Sequence, residues 1–118
     1  MTASELTDAL QDTNEVELTC TGRKTGRESS RPIWFVEEGE RILLLPVNGT
    51  ASNWYRNLVK TPGVRLAADG AALQAAAKPI EDSAGVADVL EKFRAKYGAD
   101  QVQQYYPNQD AAVEVPLG

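Results

Sequence analysis

Residues 19–32 read TCTGRKTGRESSRP, a glycine-punctuated bend that carries Arg23, Lys24, Arg27 and Arg31. Before it, Val16, Leu18 and Cys20 alternate with Glu17, Thr19 and Thr21, the period-2 pattern of a strand with one buried face. After it, residues 32–36 (PIWFV) are apolar on both faces. Gly22 and Gly26, four apart, suit a tight turn whose N–H groups approach a ligand closely. The charge of the bend is local. Residues 21–65 hold 8 of the 12 Lys and Arg but only 4 of the 17 Asp and Glu; the rest of the chain holds 4 basic and 13 acidic residues. Clustered cations repel one another unless something negative offsets them, so the bend is a candidate anion site. Hairpin turns are also rich in Gly, Lys and Arg simply because they are wet. The regional asymmetry favours the anion reading.

At 118 residues the chain is expected to form one domain, 1–118, around one core. No apolar run approaches the roughly 18 residues of a membrane span. The start, MTASELTDAL, is polar and acidic rather than a secretory leader, so the chain reads as cytoplasmic. A single cysteine, Cys20, permits no internal disulfide and no cysteine metal cluster. It alternates with buried neighbours and reads as an inert core thiol. The complete absence of histidine removes the Ser-His-Asp and Cys-His triads and the commonest metal ligand. No metal site is expected, and no catalytic residue stands out. Chemistry is left to a bound cofactor, to carboxylates, or to Tyr, Lys and Arg. Net acidity argues against nucleic acid as a partner.

Outward from the bend, residues 4–11 suggest a short, frayed N-terminal helix within 1–13, capped by Ser4, with Leu6 and Leu10 at i, i+4. Residues 42–47 (ILLLPV) are again apolar on both faces, and with 32–36 they form a hairpin turning at Glu38-Gly39. Its outer face needs a cover: a helix, a cofactor or a second subunit. Residues 48–52 open a helix that runs to about Lys60, with Thr50 or Ser52 as its cap. On that helix Trp54 and Leu58 face one way, Arg56 and Lys60 another. Val64, Leu66 and Ala68 alternate, Asp69-Gly70 signals a type I′ turn, and Leu73, Ala75 and Ala77 return as an edge ended by Pro79. Ser83 is the expected cap of a helix with the stripe Val86, Val89, Leu90, Phe93 and Tyr97, stopped by Gly98. A tyrosine-rich connection and a last strand at Ala111, Val113 and Val115 follow. The order α, β, β, β, α, β, β, α, β with tight turns predicts an α+β fold: a small, mainly antiparallel barrel with flanking helices.

The strings LTCTGRKTGR, RPIWFVEEGERILLLPVNG and NWYRNLVKTPGVRL resemble the deazaflavin-dependent nitroreductase family, of the split β-barrel superfamily of flavin- and deazaflavin-binding proteins. The most specific part is a T-G-R-K-[ST]-G turn paired with a downstream W-x-x-N-L. The resemblance implies a homodimeric split barrel that binds coenzyme F420 in a groove between subunits, or FMN as some relatives do. It implies hydride transfer to a quinone, enone or nitro-type acceptor. By the same resemblance, Arg23, Lys24, Thr25 and Gly26, with Arg27 beside them, receive the phosphate and acidic tail. Arg31 and Pro32 open the strand leading away. The backbone amides of Asn48, Gly49 and Thr50 face the ring, and Trp54 and Asn57 sit on the helix that closes over the phosphate. The residues agree on their own terms: F420 carries a phosphodiester and an oligoglutamate tail, which suit a basic turn, and a hydride carrier needs no histidine.

Three readings stay open: an F420-dependent oxidoreductase, an FMN-binding relative, and a non-catalytic barrel serving as carrier or interaction module, which the short loop before Trp54 favours. Trp34, in an apolar strand, reads as core. Tyr105 and Tyr106 read as packing or dimer-contact residues, with a place at a substrate mouth as the sharper alternative. Glu37 and Glu38 read as solvated turn residues rather than metal ligands.

Overall fold

A computed structural model describes residues 3–11 and 13–117, with all their side chains except those of residues 3, 4 and 7. Helix α1 (Ala3–Leu10) leads into β1 (Glu15–Thr21), β2 (Glu28–Glu38) and β3 (Arg41–Leu44). A single 3-10 turn (Gly49–Ala51) precedes α2 (Asn53–Lys60). Strands β4 (Gly63–Ala68), β5 (Ala71–Ala76) and β6 (Lys78–Ile80) follow, then α3 (Ser83–Tyr97), α4 (Ala99–Tyr105) and β7 (Ala112–Pro116).

The strands form one sheet in the order β5-β4-β1-β2-β3-β7-β6, and each pairing is antiparallel. The long β2 belongs to both halves. Its residues 28–34 pair with β1 and 35–38 with β3. The two edges, β5 and β6, are separated in the chain by Ala77 alone, whose N–H donates to Pro62 O at 2.8 Å. A sheet whose first and last strands are consecutive in the chain must curl until they meet. That produces the split β-barrel, and the fold class is the one expected.

The barrel interior is filled by the inward residues of the strands, among them Val16, Leu18, Phe35, Ile42, Leu44, Leu66 and Val113. Leu6 and Leu10 of α1 and Tyr55 and Leu58 of α2 close it. A second cluster lies on the other face of β3 and β7, where Leu43, Leu45 and Ala112 pack under Val86, Val89, Phe93 and Val102. Strand β3 is therefore apolar on both faces because α3 and α4 cover its outside. A helix, of the three covers the sequence allowed, takes that role here.

Several local expectations are met by the backbone. Asp69 and Gly70 both have positive φ (48° and 82°), as a type I′ turn requires, and Gly98 (φ 96°) ends α3. Others are corrected. Asp82, not Ser83, caps α3, its carboxylate accepting from Gly85 N at 2.7 Å. Ser52 occupies the cap position of α2, but its hydroxyl accepts from Asn48 N at 2.9 Å instead of capping. The cap expected at Ser4 lies outside the described side chains. Strand β2 begins at Glu28, so Arg31 and Pro32 sit mid-strand, opposite Leu18 and Glu17. Glu38 is held by Arg41 and Lys92 rather than free in a turn. The tyrosine-rich connection is helix α4, whose one buried residue, Val102, gives no periodic stripe to read.

Candidate functional site

The bend between β1 and β2 is built by its own backbone and then fastened to α2. Gly22 N–H donates to Arg27 O (2.8 Å), and Gly26, at φ 74°, donates to Gly22 O (2.9 Å). Arg27 N–H donates to Thr25 Oγ1 (3.2 Å). Asn57 Oδ1 accepts from Arg23 N–H (3.1 Å) and from Arg23 Nη1 (2.8 Å). Asn53 O accepts from the same guanidinium at 3.4 Å, and Lys60 Nζ donates to Arg23 O at 2.8 Å. Arg23 is thus an anchor as well as a cation. Lys24, Thr25, Gly26 and Arg27 remain exposed.

The ion pairs among the described residues involve Arg41, Lys92 and Arg94 with Glu38, Glu114, Asp88 and Glu91. None reaches the bend. Among the described residues, then, no acidic side chain is in ion-pair contact with the bend, which leaves its exposed cations free to meet an outside anion.

One turn before Asn57 on the same helix, Trp54 is 4% exposed and borders a cleft of about 360 Å³. Strand β2 contributes Pro32, Ile33 and Trp34 to the cleft; the segment after β3 contributes Leu45 and Val47. The end of α4 and its cap bring Tyr105 and Tyr106, and Glu15, paired across from Trp34, completes the lining. Trp34 is stacked on Tyr97 with centroids 4.2 Å apart and planes 8° apart, and Tyr105 meets it edge-on at 5.1 Å. Trp34 is thus a half-buried lining residue rather than plain core. Tyr105 and Val47 are each about half exposed at the opening. Burial pushes the Tyr97 phenol up to about 12, and Phe35 N, Phe35 O and Asn14 O lie within 3.1 Å of its hydroxyl. Beside it, Lys96 donates to Phe35 O at 2.8 Å and lies 3.6 Å from the Phe35 ring centre; burial lowers its pKa.

The 48–52 segment is arranged differently from the expectation placed on it. Its amides donate within the chain: Asn48 N to Ser52 Oγ, Gly49 N to Pro46 O, and Thr50 N to Asp110 Oδ1. Thr50 Oγ1 donates to Asp110 Oδ2 at 2.8 Å, and these two bonds hold the Asp110 carboxyl below its usual range. In this arrangement the segment braces the site and offers no open row of amides. Of the residues singled out from sequence, the structure joins Arg23 to Asn57 and brings Pro32 and Trp54 to one cleft. Leu45, Val47, Glu15, Asn108 and Asp110 were not anticipated. Leu45 and Val47 carried only the general signal of an apolar stretch in need of a cover, and Glu15, Asn108 and Asp110 carried none; Glu15 comes in through the pairing of β1 with β2, the others through the meeting of β3, α4 and the segment before β7. No group of three or more His, Cys, Asp or Glu side chains placed to share a metal occurs among the described residues.

A family model for F420H(2)-dependent quinone reductases matches residues 1–117. The chain belongs to that family. Coenzyme F420 is accordingly its cofactor, and reduction by F420H2 its class of activity. Similar solved structures include an F420-H2 dependent reductase, FDR-A (20% identity, TM-score 0.68, covering 86% of this chain and 93% of that one). HutZ, the heme storage protein from Vibrio cholerae, is similar at 18% identity and TM-score 0.75, covering 100% and 92%. A protein solved as a domain-swapped dimer is similar at 20% identity and TM-score 0.70, covering 88% and 81%. At these identities the likeness shows the shared split barrel. The chemistry of the donors in this F420H2-dependent reductase fits the coenzyme. The exposed Lys24 and Arg27, in no ion pair among the described residues, have the charge an acidic tail would need, and an aromatic cleft bordered by α2 has the shape and surface a planar ring would need.

Proposed function

We propose that the chain transfers hydride from F420H2 to a quinone, enone or nitro-type acceptor, working as a homodimer in the cytoplasm. The single observation that carries this reading is the fastening of the basic bend to α2 by Asn57, one turn from the Trp54 that borders the cleft. In this reading Lys24 and Arg27 meet the phosphate and glutamate tail, while Arg23 holds the bend and adds its charge. Arg31, at mid-strand, and Thr25 and Gly26, in the bend, complete the anion side. Pro32 and Trp54 border the ring. Asn48, Gly49 and Thr50 brace the segment that leads to Trp54.

F420, when bound, supplies the hydride. The chain positions the coenzyme and acceptor, shields one side of them from water with Trp34 and Trp54, and places Tyr105 at the opening, where its hydroxyl gives a proton to the reduced acceptor. The open cleft, with Val47 and Tyr105 half exposed, supports a second copy as its cover, and the domain-swapped similar structure is compatible with that.

Titration of F420 fluorescence tests the reading. Lys24→Ala with Arg27→Ala removes two exposed cations without touching the Arg23–Asn57 anchor. Each lost charge-assisted contact is expected to cost about 1.5–3 kcal/mol, so the double variant should bind at least about a hundredfold more weakly. Unchanged affinity would remove the bend from the coenzyme site.

A further inference from the structure

We propose that Asp110, assisted by Asn108, is a positioning residue that ties together the two chain segments bordering the cleft. Strands β3 and β7 are last paired at Leu44 and Val113. Beyond that pair the first segment leaves the sheet, and the second keeps only the pairing of Ala112 with Ile80 of β6. One carries Leu45 and Val47 toward Trp54; the other carries Tyr105 and Tyr106. The sheet no longer sets the distance between them.

The packing of Leu45 and Tyr106 in one core and side-chain bonds from the second segment to the first do so. Asp110 Oδ1 accepts from Thr50 N (2.9 Å), Asp110 Oδ2 from Thr50 Oγ1 (2.8 Å), and Asn108 Nδ2 donates to Asn48 O (3.0 Å). Arg56 of α2 adds a bond from Nε to Thr50 O at 3.0 Å, linking the same tripeptide to the helix that carries Trp54. The approach leaves no slack. Gly49 has φ 55°, and a Cβ there would lie 1.8 Å from Asp110 Oδ1 and 3.0 Å from Asn108 O. Only a residue without a side chain fits between the tie and the backbone it grips. Both carboxylate oxygens of an otherwise exposed aspartate are spent on one residue of the facing segment, and no ion pair among the described residues competes for them.

The tie fixes how far Tyr105 and Tyr106 stand from Val47 and Trp54. It rests on the reading of the cleft as the coenzyme and acceptor site, and its test is therefore built in two parts. The first needs no coenzyme. Acrylamide quenching of tryptophan fluorescence reports the access of small solutes to Trp34 and Trp54, both of which line the cleft. Asp110→Ala is expected to raise the quenching constant about twofold or more and to speed exchange of the Thr50 amide proton about tenfold. Asp110→Asn keeps an acceptor oxygen and is expected to remain near wild type in both. Quenching and exchange unmoved in Asp110→Ala would overturn the tie, whatever ligand the cleft takes.

The second part measures F420 affinity and acceptor KM. Asp110→Ala is expected to weaken one or both about tenfold, with Asp110→Asn within about threefold of wild type, because small displacements of a site wall are costly to a bound ring. Looser quenching with unchanged affinity and KM would show a local brace and overturn the positioning role. Failure of the wild-type protein to bind F420 would instead overturn the coenzyme reading and leave quenching to decide the tie. Should Asp110→Ala lose its fold by circular dichroism, Asn108→Ala, which removes one bond from the same pair of segments, takes its place with the same outcomes.

Discussion

Asn57 is a buried side chain whose oxygen accepts two hydrogen bonds from a single arginine. Its assignment from sequence was to the helix that closes over a phosphate; the structure gives it work inside the protein, fastening the bend. Removing that oxygen leaves the Arg23 amide and guanidinium short of an acceptor. Asn57→Ala is therefore expected to destabilise the protein by about 1–3 kcal/mol, read as a lower urea midpoint, while Asn57→Asp retains the acceptor and loses less. On the proposed reading, Asn57→Ala is expected to weaken coenzyme binding by loosening the bend, and its stability loss distinguishes it from loss of Lys24 or Arg27. Cys20 shows the opposite economy. It is 2% exposed, and burial pushes its thiol up to about 11, which disfavours the thiolate at neutral pH, in line with its place in the alternating strand.

At the scale of elements, periodicity was legible wherever one face is buried against one partner. Leu6 with Leu10, Trp54 with Leu58, and the stripe on α3 all point inward. Helix α4 and strand β6 escaped because they carry too little pattern: Val102 is the buried residue of one, and the other is three residues long. Caps were legible only to within a residue. Asp82 and Ser83 are both competent side chains, and the sequence alone does not say which leaves helical geometry. In the fold Asp82 is extended (φ −72°, ψ 141°) and Ser83 begins the helix. Asp82→Ala is accordingly expected to cost about 0.5–2 kcal/mol in thermal or denaturant unfolding, and Ser83→Ala close to nothing. A loss confined to Ser83→Ala would return the cap to Ser83.

Across the whole molecule, the ion pairs of α3, β3 and β7 neutralise one side while the bend at the other end of β1 keeps its charge. Coenzyme affinity is expected to fall steeply with added salt, since at about 1 M the screening length is only about 3 Å. If the acceptor enters the cleft as proposed, the KM of a neutral quinone should hold nearly steady, because an uncharged molecule gains little from the screened charges. Isothermal titration at two salt concentrations, beside initial rates, checks both. What the sequence determined by itself was every property carried by near neighbours in the chain: strand and helix periods, the turn at Asp69-Gly70, the absence of histidine, and the concentration of cations in one bend. These are local because a residue's own spacing or chemistry decides them. What only the tertiary structure decided was which side chains meet. Trp34 became a cleft wall, Asn57 an internal anchor and Asp110 a tie across 60 residues, because the packing of α2, α3 and the segment before β7 on the sheet brings distant segments together and no local pattern encodes those meetings.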